Sequence, residues 1–221
     1  MVSSYTPSVL ALLQKRNTNS TQPRILAVSQ KSSVSGLPEL PNVTQEIEQS
    51  CQRATTTRVE LVIAEDKGAT VSHVLEEMTK CSWVHLACHG TQDIRNPTKS
   101  AFALAGGNLE LAEIIKHRLP HAELAFLSAC QTATGDLKLA EEAVHLAAGM
   151  MFAGYGSVVA TMWAILDKDG PVIADRVYAE LLNGERADSS RAAHALHHAV
   201  QQLRLSGAPF LAWMPFIHIG A

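Results

Sequence analysis

Apolar segments of strand length alternate with amphipathic segments of helix length along most of the chain. The strand-like segments are rich in Val, Ile, Leu and Ala, and they cover residues 24–29, 58–63, 83–90, 124–130, 157–163 and 216–219. Segments with helical periodicity lie at residues 42–54, 70–80, 109–119, 139–152, 171–182 and 189–205. This alternation predicts an α/β fold, with a mostly parallel sheet and helices on both of its faces.

Three regions depart from this alternation. Residues 1–22 are rich in Ser, Thr and Asn after a short helical patch at 7–15, so we expect a tail or linker before a single domain at 23–221. Residues 100–105 and the turn at 106–108 predict a small surface strand or hairpin arm. The run at 143–166 is long enough to cross a bilayer, but glycines interrupt it, so a buried helix, a tight turn and a buried strand fit better.

Composition and charge limit the classes of function. A chain of 221 residues with 47% hydrophobic residues is sufficient for one large domain with a sizeable core. The net charge is −3 and no basic cluster exceeds Lys15-Arg16, which argues against nucleic acid or an anionic membrane as a partner. The four cysteines form no CxxC pair and no zinc-ligand spacing, so we expect reduced thiols in a cytoplasmic protein.

The candidate chemistry lies at the ends of the third and fourth strand-like segments. The third ends at His89-Gly90, and the fourth ends at Cys130. In a parallel α/β sheet the carboxyl ends of the strands form the ligand crevice. Adjacent strands would place the imidazole of His89 beside the thiol of Cys130, so that the imidazole takes the proton and the thiolate attacks. The backbone amides of Gly90 and Cys130 are candidates to bind a developing oxyanion.

A simpler interpretation exists for the cysteine alone. Cysteine is among the most buried residue types, and a cysteine at a strand end is more often a small apolar side chain than a nucleophile. The His-Gly sequence at the end of the preceding strand favours the catalytic interpretation of Cys130.

Three sequence motifs together resemble the CHAT domain family. They are Leu-Ala-Cys-His-Gly at 86–90, Leu-Ser-Ala-Cys-Gln-Thr-Ala at 127–133 and Gly-Ser-Val-Val-Ala-Thr-Met-Trp at 156–163. The likeness runs from about residue 24 to residue 219, and Trp-Met-Pro-Phe at 213–216 resembles the usual ending of the family. CHAT domains are grouped with caspases, metacaspases and separase in one clan of cysteine peptidases.

The resemblance implies a caspase-like fold and a catalytic dyad, carried onto His89 and Cys130. It implies an endopeptidase that cleaves protein substrates and needs neither a cofactor nor a metal. It also implies that the chain is the C-terminal module of a larger protein, with a TPR-like repeat region or a regulatory protein as a candidate partner. The sequence Ser-Ala-Cys-Gln-Thr departs from the Gln-Ala-Cys-Arg-Gly of caspases, which argues against aspartate specificity.

Other histidines and cysteines receive structural interpretations. Side chains alternate along a strand, so Cys88 is expected to point away from the face of His89 and into the core. His85 is expected to be buried and hydrogen-bonded. His194 and His198 have the i, i+4 spacing that can hold a metal, although a packing or solvated helix face is the favoured interpretation.

Loops after the fourth and fifth strands contain candidates for substrate recognition. Asp136 and Asp167 would favour a basic side chain before the scissile bond, and Trp163 would form a pocket wall. Turn chemistry is the alternative interpretation of the two acidic residues. We therefore expect cleavage after Lys or Arg rather than after aspartate.

These patterns together predict a cysteine endopeptidase. The first alternative is a catalytically silent module with the same fold, which docks to repeat regions or to other chains. A flavodoxin-like domain that binds a small molecule is a weaker alternative, because no glycine-rich phosphate loop follows the first strand.

Overall fold

A mostly parallel sheet lies at the centre of the computed structural model, which describes residues 2–6, 22–34, 36–57, 59–93, 95–128, 130–131, 143–163, 165–184 and 186–220. Its strands are β1 Arg24–Ser29, β2 Glu60–Glu65, β3 Trp83–Ala87, β7 Leu124–Leu127, β9 Ser157–Thr161 and β10 Phe216–Gly220. Among the described residues these six strands have the order β10-β9-β7-β3-β1-β2. All neighbours are parallel except β10, which is antiparallel to β9.

Helices cover both faces of this sheet. They are α1 Val43–Thr56, α2 Val71–Met78, α3 Leu111–Lys116, α4 Ala143–Phe152, α5 Asp169–Leu181, α6 Ala192–Leu205 and the short α7 Phe210–Trp213. One core contains Met78, Ile114 and Met150 from α2, α3 and α4, and the other contains Ile47, Ile173 and Leu196 from α1, α5 and α6. Because the sheet is covered on both sides, every residue of β3, β7 and β9 is buried.

A second, smaller sheet continues from the carboxyl ends of β3 and β7. Its strands are β4 His89–Thr91, β5 Ala101–Leu104, β6 Gly107–Glu110 and β8 Cys130–Gln131. In the described part of the chain they have the order β6-β5-β4-β8. Only Cys88 separates β3 from β4. The residues that follow β3 and β7 therefore belong to the small sheet and not to the central one.

The predicted fold class, an α/β sheet with helices on both faces, is confirmed. The sequence predicted one unbroken third strand over residues 83–90, and this was wrong: the segment breaks at Cys88 and its end joins the second sheet. The cause is the predicted hairpin arm, β5 and β6, which pairs with β4 and draws it away from the central sheet. The predicted helical patch at 7–15 and the start of the helix at 139–152 lie outside the described residues.

The long uncharged run divides as expected into a helix, a turn and a strand. Helix α4 ends at Phe152 and β9 begins at Ser157. Between them Gly154 has a φ of +117°, a backbone conformation that favours glycine. None of the described helices combines the length and the apolarity needed to cross a membrane.

The first described residues contact the last strand. Tyr5 forms a parallel bridge with Ile219, and the hydroxyl of Ser4 lies 2.7 Å from Nδ1 of His218. The same hydroxyl donates a hydrogen bond of 2.7 Å to the carbonyl of Gly220. Residues 2–6 of the predicted tail therefore lie against β10, and the boundary at residue 23 stays a prediction.

Candidate active site

His89 and Cys130 lie opposite each other on neighbouring parallel strands. The backbone register pairs His89 of β4 with Cys130 of β8, and the same offset pairs Trp83 with Leu124 in β3 and β7. The pairs β3/β7 and β4/β8 therefore have the same register, although they belong to different sheets. Neighbouring strands are about 4.8 Å apart, so the backbones of His89 and Cys130 are immediate neighbours.

The small sheet has one face against the core and one face away from it. Phe102 of β5 and Leu109 of β6 are paired with each other and fully buried in the core of α2, α3 and α4. Side chains alternate along each strand, so the next row of paired residues, which contains His89, Ala103 and Asn108, lies on the other face. Asn108 is exposed at the edge of that row. His89 and Ala103 of that row are buried, so the row is covered except at Asn108.

The imidazole of His89 is held by a backbone carbonyl. Its Nε2 lies 2.8 Å from the carbonyl oxygen of Pro38, and because a carbonyl only accepts hydrogen bonds, Nε2 carries a proton. Nδ1 is buried and has no hydrogen-bond partner in the part of the chain that the structure describes. In the neutral imidazole this second nitrogen is an acceptor. The ring is thus oriented so that Nδ1 can receive a proton.

The loop that carries Pro38 is attached to the strands around the site. The amide of Gln30 donates a hydrogen bond of 3.0 Å to the carbonyl of Ala87, at the end of β3. The amide of Ser32 donates one of 2.8 Å to Oδ1 of Asp66. These contacts fix the start of the loop beside the break between β3 and β4, which brings Pro38 within reach of His89.

A buried polar cluster lies directly behind the two strand ends. Oε1 of Glu46 on α1 lies 2.9 Å from Nε2 of His85 on β3, and Oε2 accepts a hydrogen bond of 3.0 Å from the hydroxyl of Ser128. All three side chains are buried. His85 also stacks on Tyr178, with 5.6 Å between the ring centroids. The prediction that His85 is a buried, hydrogen-bonded histidine is confirmed.

Asp167 contacts the amino end of α1. Its Oδ2 accepts hydrogen bonds from the backbone amide of Asn42, at 2.8 Å, and from the side-chain amide of Asn42, at 2.7 Å. The carboxylate thereby occupies the end of the helix, where backbone amides need acceptors and negative charge is favourable. This contact gives Asp167 a structural role. The alternative interpretation of the sequence, turn chemistry, also assigned it a structural role.

The other predicted substrate residues differ in what the structure shows of them. Trp163 follows β9, is half-buried, and has an indole Nε1 that is buried without a hydrogen-bond partner among the described residues. Gly90 is buried beside His89 in β4. Asp136 lies outside the described residues. The oxyanion role of Gly90 and Cys130 and the substrate roles of Asp136 and Trp163 stay predictions.

The remaining cysteines differ in their surroundings from a reactive thiol. Burial raises the pKa of the Cys51 thiol to about 11, and the nearby carboxylates of Glu65 and Glu48 act in the same direction. Burial also raises the pKa of the Cys81 thiol to about 11. Cys88 is fully buried in the core of α2, α3 and α4, which confirms its predicted packing role.

The candidate metal pair on α6 has a carboxylate neighbour that the sequence did not suggest. Nδ1 of His198 lies 2.9 Å from Oε2 of Glu180 on α5. The described residues contain no group of three or more His, Cys, Asp or Glu side chains arranged to hold a metal ion. His198 is exposed, so this contact lies on a solvated face of α6, as one of the two favoured interpretations expected.

Two residues that contact or support the site were not found from the sequence. Pro38 acts through its carbonyl, so its side chain gave no signal. Glu46 did give one, because it lies on the same stripe of α1 as the buried residues Val43, Ile47 and Ser50. A carboxylate at a buried helix position requires a polar partner, and that requirement points inward to the sheet.

Comparisons with known proteins concern the family and the fold. A model of the CHAT domain family matches residues 2–221. A structure of the pro- and mature domains of RgpB from Porphyromonas gingivalis is similar in fold, with a TM-score of 0.55 and 12% identity over 89% of this chain and 47% of that one. The Arg-specific cysteine proteinase gingipain R is similar too, with a TM-score of 0.56 and 13% identity over 89% of this chain and 46% of that one.

The chain thus spans less than half the length of both gingipain structures. No curated protein sequence matches it significantly. At these identities the similarity to the gingipains shows a caspase-like fold.

Proposed function

This chain belongs to the CHAT domain family, and we propose that it is a cysteine endopeptidase in which His89 activates Cys130. The observation that carries the proposal is the in-register pairing of His89 with Cys130 on parallel strands. Residues paired in register on neighbouring strands share a face of the sheet. The proposal therefore assigns the thiol of Cys130 to the face from which His89 is presented.

Proton transfer is the first step of the proposed mechanism. Because Nε2 of His89 is occupied by the carbonyl of Pro38, Nδ1 takes the proton of the Cys130 thiol. The thiolate then attacks the carbonyl carbon of the scissile peptide bond, and the imidazolium gives its proton to the departing amine. Water hydrolyses the resulting thioester with His89 as the base, and the thiol is regenerated.

The carbonyl of Pro38 supports His89 in both protonation states. It fixes the ring through one hydrogen bond, and it stabilises the imidazolium without placing a full negative charge beside it. A carboxylate in that position would hold the imidazolium more strongly and make Nδ1 slower to release its proton. We assign the oxyanion to the backbone amides of Gly90 and Cys130, as the sequence suggested.

For specificity we propose a basic side chain before the cleaved bond, recognised by Asp136 and flanked by Trp163. Trp163 is half-buried and follows β9, and this position supports its assignment to the pocket wall. Asp167 is not part of this proposal, because Asn42 already occupies one of its oxygens. Asp136 is supported by its sequence position after the fourth strand.

The experiment compares product formation by matched cysteine variants. The purified chain is incubated with a proteome-derived peptide library, and new termini are identified by mass spectrometry for the wild type, Cys130→Ala and Cys51→Ala. The proposal expects cleavage by the wild type and by Cys51→Ala, and none by Cys130→Ala. Cleavage that persists in Cys130→Ala, or a library left intact by the wild type, would favour the catalytically silent module instead.

A further inference from the structure

We propose that Glu46 is a positioning residue, which holds the two strand ends that carry His89 and Cys130 in one fixed arrangement. The inference rests on the proposed function, because it concerns the same pair. The juxtaposition behind it is a single buried carboxylate that contacts both β3 and the residue after β7.

Each oxygen of Glu46 serves a different strand. Oε1 lies 2.9 Å from Nε2 of His85, which precedes His89 by four residues. Oε2 lies 3.0 Å from the hydroxyl of Ser128, which precedes Cys130 by two residues. Each contact comes just before the point where a central strand breaks and the small sheet begins. The carboxylate therefore links the two strands at the point where a change in the angle between them would separate His89 from Cys130.

The same helix leads back to the residue that orients His89. Pro38 lies in the loop that enters α1, and its carbonyl is 2.8 Å from Nε2 of His89. The amino end of α1 is fixed in turn by Asp167, which accepts two hydrogen bonds from Asn42. One rigid helix thus sets the position of the His89 ring through Pro38 and that of the Cys130 segment through Ser128.

The carboxylate has little freedom to move. A Cβ atom added at Gly170 would lie 2.6 Å from Oε2 of Glu46 and 2.9 Å from the hydroxyl oxygen of Ser128. Helix α5 therefore approaches the cluster as closely as a glycine allows. Both oxygens of Glu46 are engaged, and there is no room for a side chain at Gly170 beside them, which limits the positions open to the carboxylate.

Stability alone does not account for such a residue. Replacing a buried charged pair by apolar residues of similar volume is often neutral or stabilising. A buried carboxylate between two strands that each lead into the candidate site is better explained by the geometry it enforces. Displacing a reacting group by about 1 Å can cost on the order of a hundredfold in rate.

The test uses two substitutions of Glu46 that differ in their capacity to form hydrogen bonds. Glu46→Gln keeps an acceptor for His85 and can donate to the Ser128 oxygen, whereas Glu46→Leu can do neither. Glu48→Gln is the matched control, because Glu48 is exposed on the same helix. The readout is the rate of Cys130 alkylation by iodoacetamide as a function of pH, with the labelled cysteine identified by mass spectrometry.

We expect Glu46→Leu to lower the alkylation rate at pH 7 by about 10- to 100-fold and to move the midpoint of the pH profile upward, toward that of His89→Ala. Glu46→Gln and Glu48→Gln should stay within about threefold of the wild type. Continued protection of Cys81 and Cys88 from labelling shows that the fold is intact. If Glu46→Leu does not fold, Ser128→Ala removes one of the two contacts, and a decrease of about tenfold is expected.

Two outcomes would overturn the inference. One is a folded Glu46→Leu or Ser128→Ala variant with the wild-type profile, and the other is a loss in Glu46→Gln as large as that in Glu46→Leu. Failure of the proposed function looks different, because the wild-type rate would then be the same as that of His89→Ala. The two failures are therefore distinguishable within one experiment.

Discussion

Two histidines four residues apart on one segment have different surroundings in this fold. His85 lies in the central sheet, and its Nε2 contacts the carboxylate of Glu46. His89 lies in the small sheet, and its Nε2 contacts the carbonyl of Pro38. Nδ1 of both rings is buried without a hydrogen-bond partner among the described residues, so the two sites differ in the group that contacts Nε2. A buried carboxylate holds an imidazole more strongly than a neutral carbonyl does. The break at Cys88 separates these two environments.

The comparison predicts a large loss of activity and a moderate loss of stability from a change at His89. We expect His89→Ala to lower kcat/KM for peptide cleavage by about 10³-fold, because the general base is removed. The free energy of unfolding should fall by about 2–3 kcal/mol, because His89 is buried and its removal leaves a cavity as well as breaking the hydrogen bond to Pro38. Peptide-cleavage kinetics and urea denaturation of the same protein measure the two effects. Loss of folding with retained activity per folded molecule would contradict this assignment.

A change at His85 should lower the free energy of unfolding more than a change at His89 does. His85→Leu leaves the buried carboxylate of Glu46 without one of its partners, and we expect the free energy of unfolding to fall by about 3–5 kcal/mol. Adding Glu46→Leu removes the unpaired charge, so the double variant should recover most of that stability. Urea denaturation of the two single variants and the double variant measures the coupling. Additive losses in the double variant would show that the two side chains do not act as a pair.

The sequence predicted some of these features and not others. Side-chain patterns were informative, whereas strand pairing and backbone contacts left no signal. The neighbouring positions of His89 and Cys130 were predicted, because two apolar strands of similar length end in these residues. The break at Cys88 was not, because residues 83–90 stay apolar throughout and only pairing with β5 diverts the end of the segment. Pro38 contributes a backbone carbonyl, which every residue type possesses, so no sequence pattern marks it.

Substitutions of Asp136 and Asp167 test whether substrate recognition depends on Asp136. We expect Asp136→Asn to lower kcat/KM for substrates with Lys or Arg before the cleaved bond by about 10- to 100-fold, because a charge-assisted hydrogen bond of about 1.5–3 kcal/mol is lost. Asp167→Asn is the matched control, and it should reduce stability by about 1 kcal/mol without changing the preference among substrates. The measurement is a comparison of basic and neutral peptides. An equal loss for both peptide classes in Asp136→Asn would contradict the recognition role.

The smallest expected effect is a pH dependence of stability that arises from the thiols of Cys51 and Cys81. Burial raises the pKa values of Cys51 and Cys81 to about 11 from 9.0, so the folded protein keeps these thiols protonated where the unfolded chain has released their protons. The free energy of unfolding should therefore decrease as the pH rises from about 9 to about 11. Urea denaturation across that range measures the slope, and Cys81→Ala should make it shallower. An unchanged slope in Cys81→Ala would show that another group is responsible.

The central claim is that His89, and not His85, activates the thiol of Cys130. The most direct measurement is the pH dependence of Cys130 alkylation in the wild type and in His89→Ala, with Cys51 in the same molecules as an internal reference. The account predicts that wild-type Cys130 reacts faster than Cys51 at pH 7, and that His89→Ala abolishes the difference. A Cys130 profile that is identical with and without the His89 imidazole would contradict it.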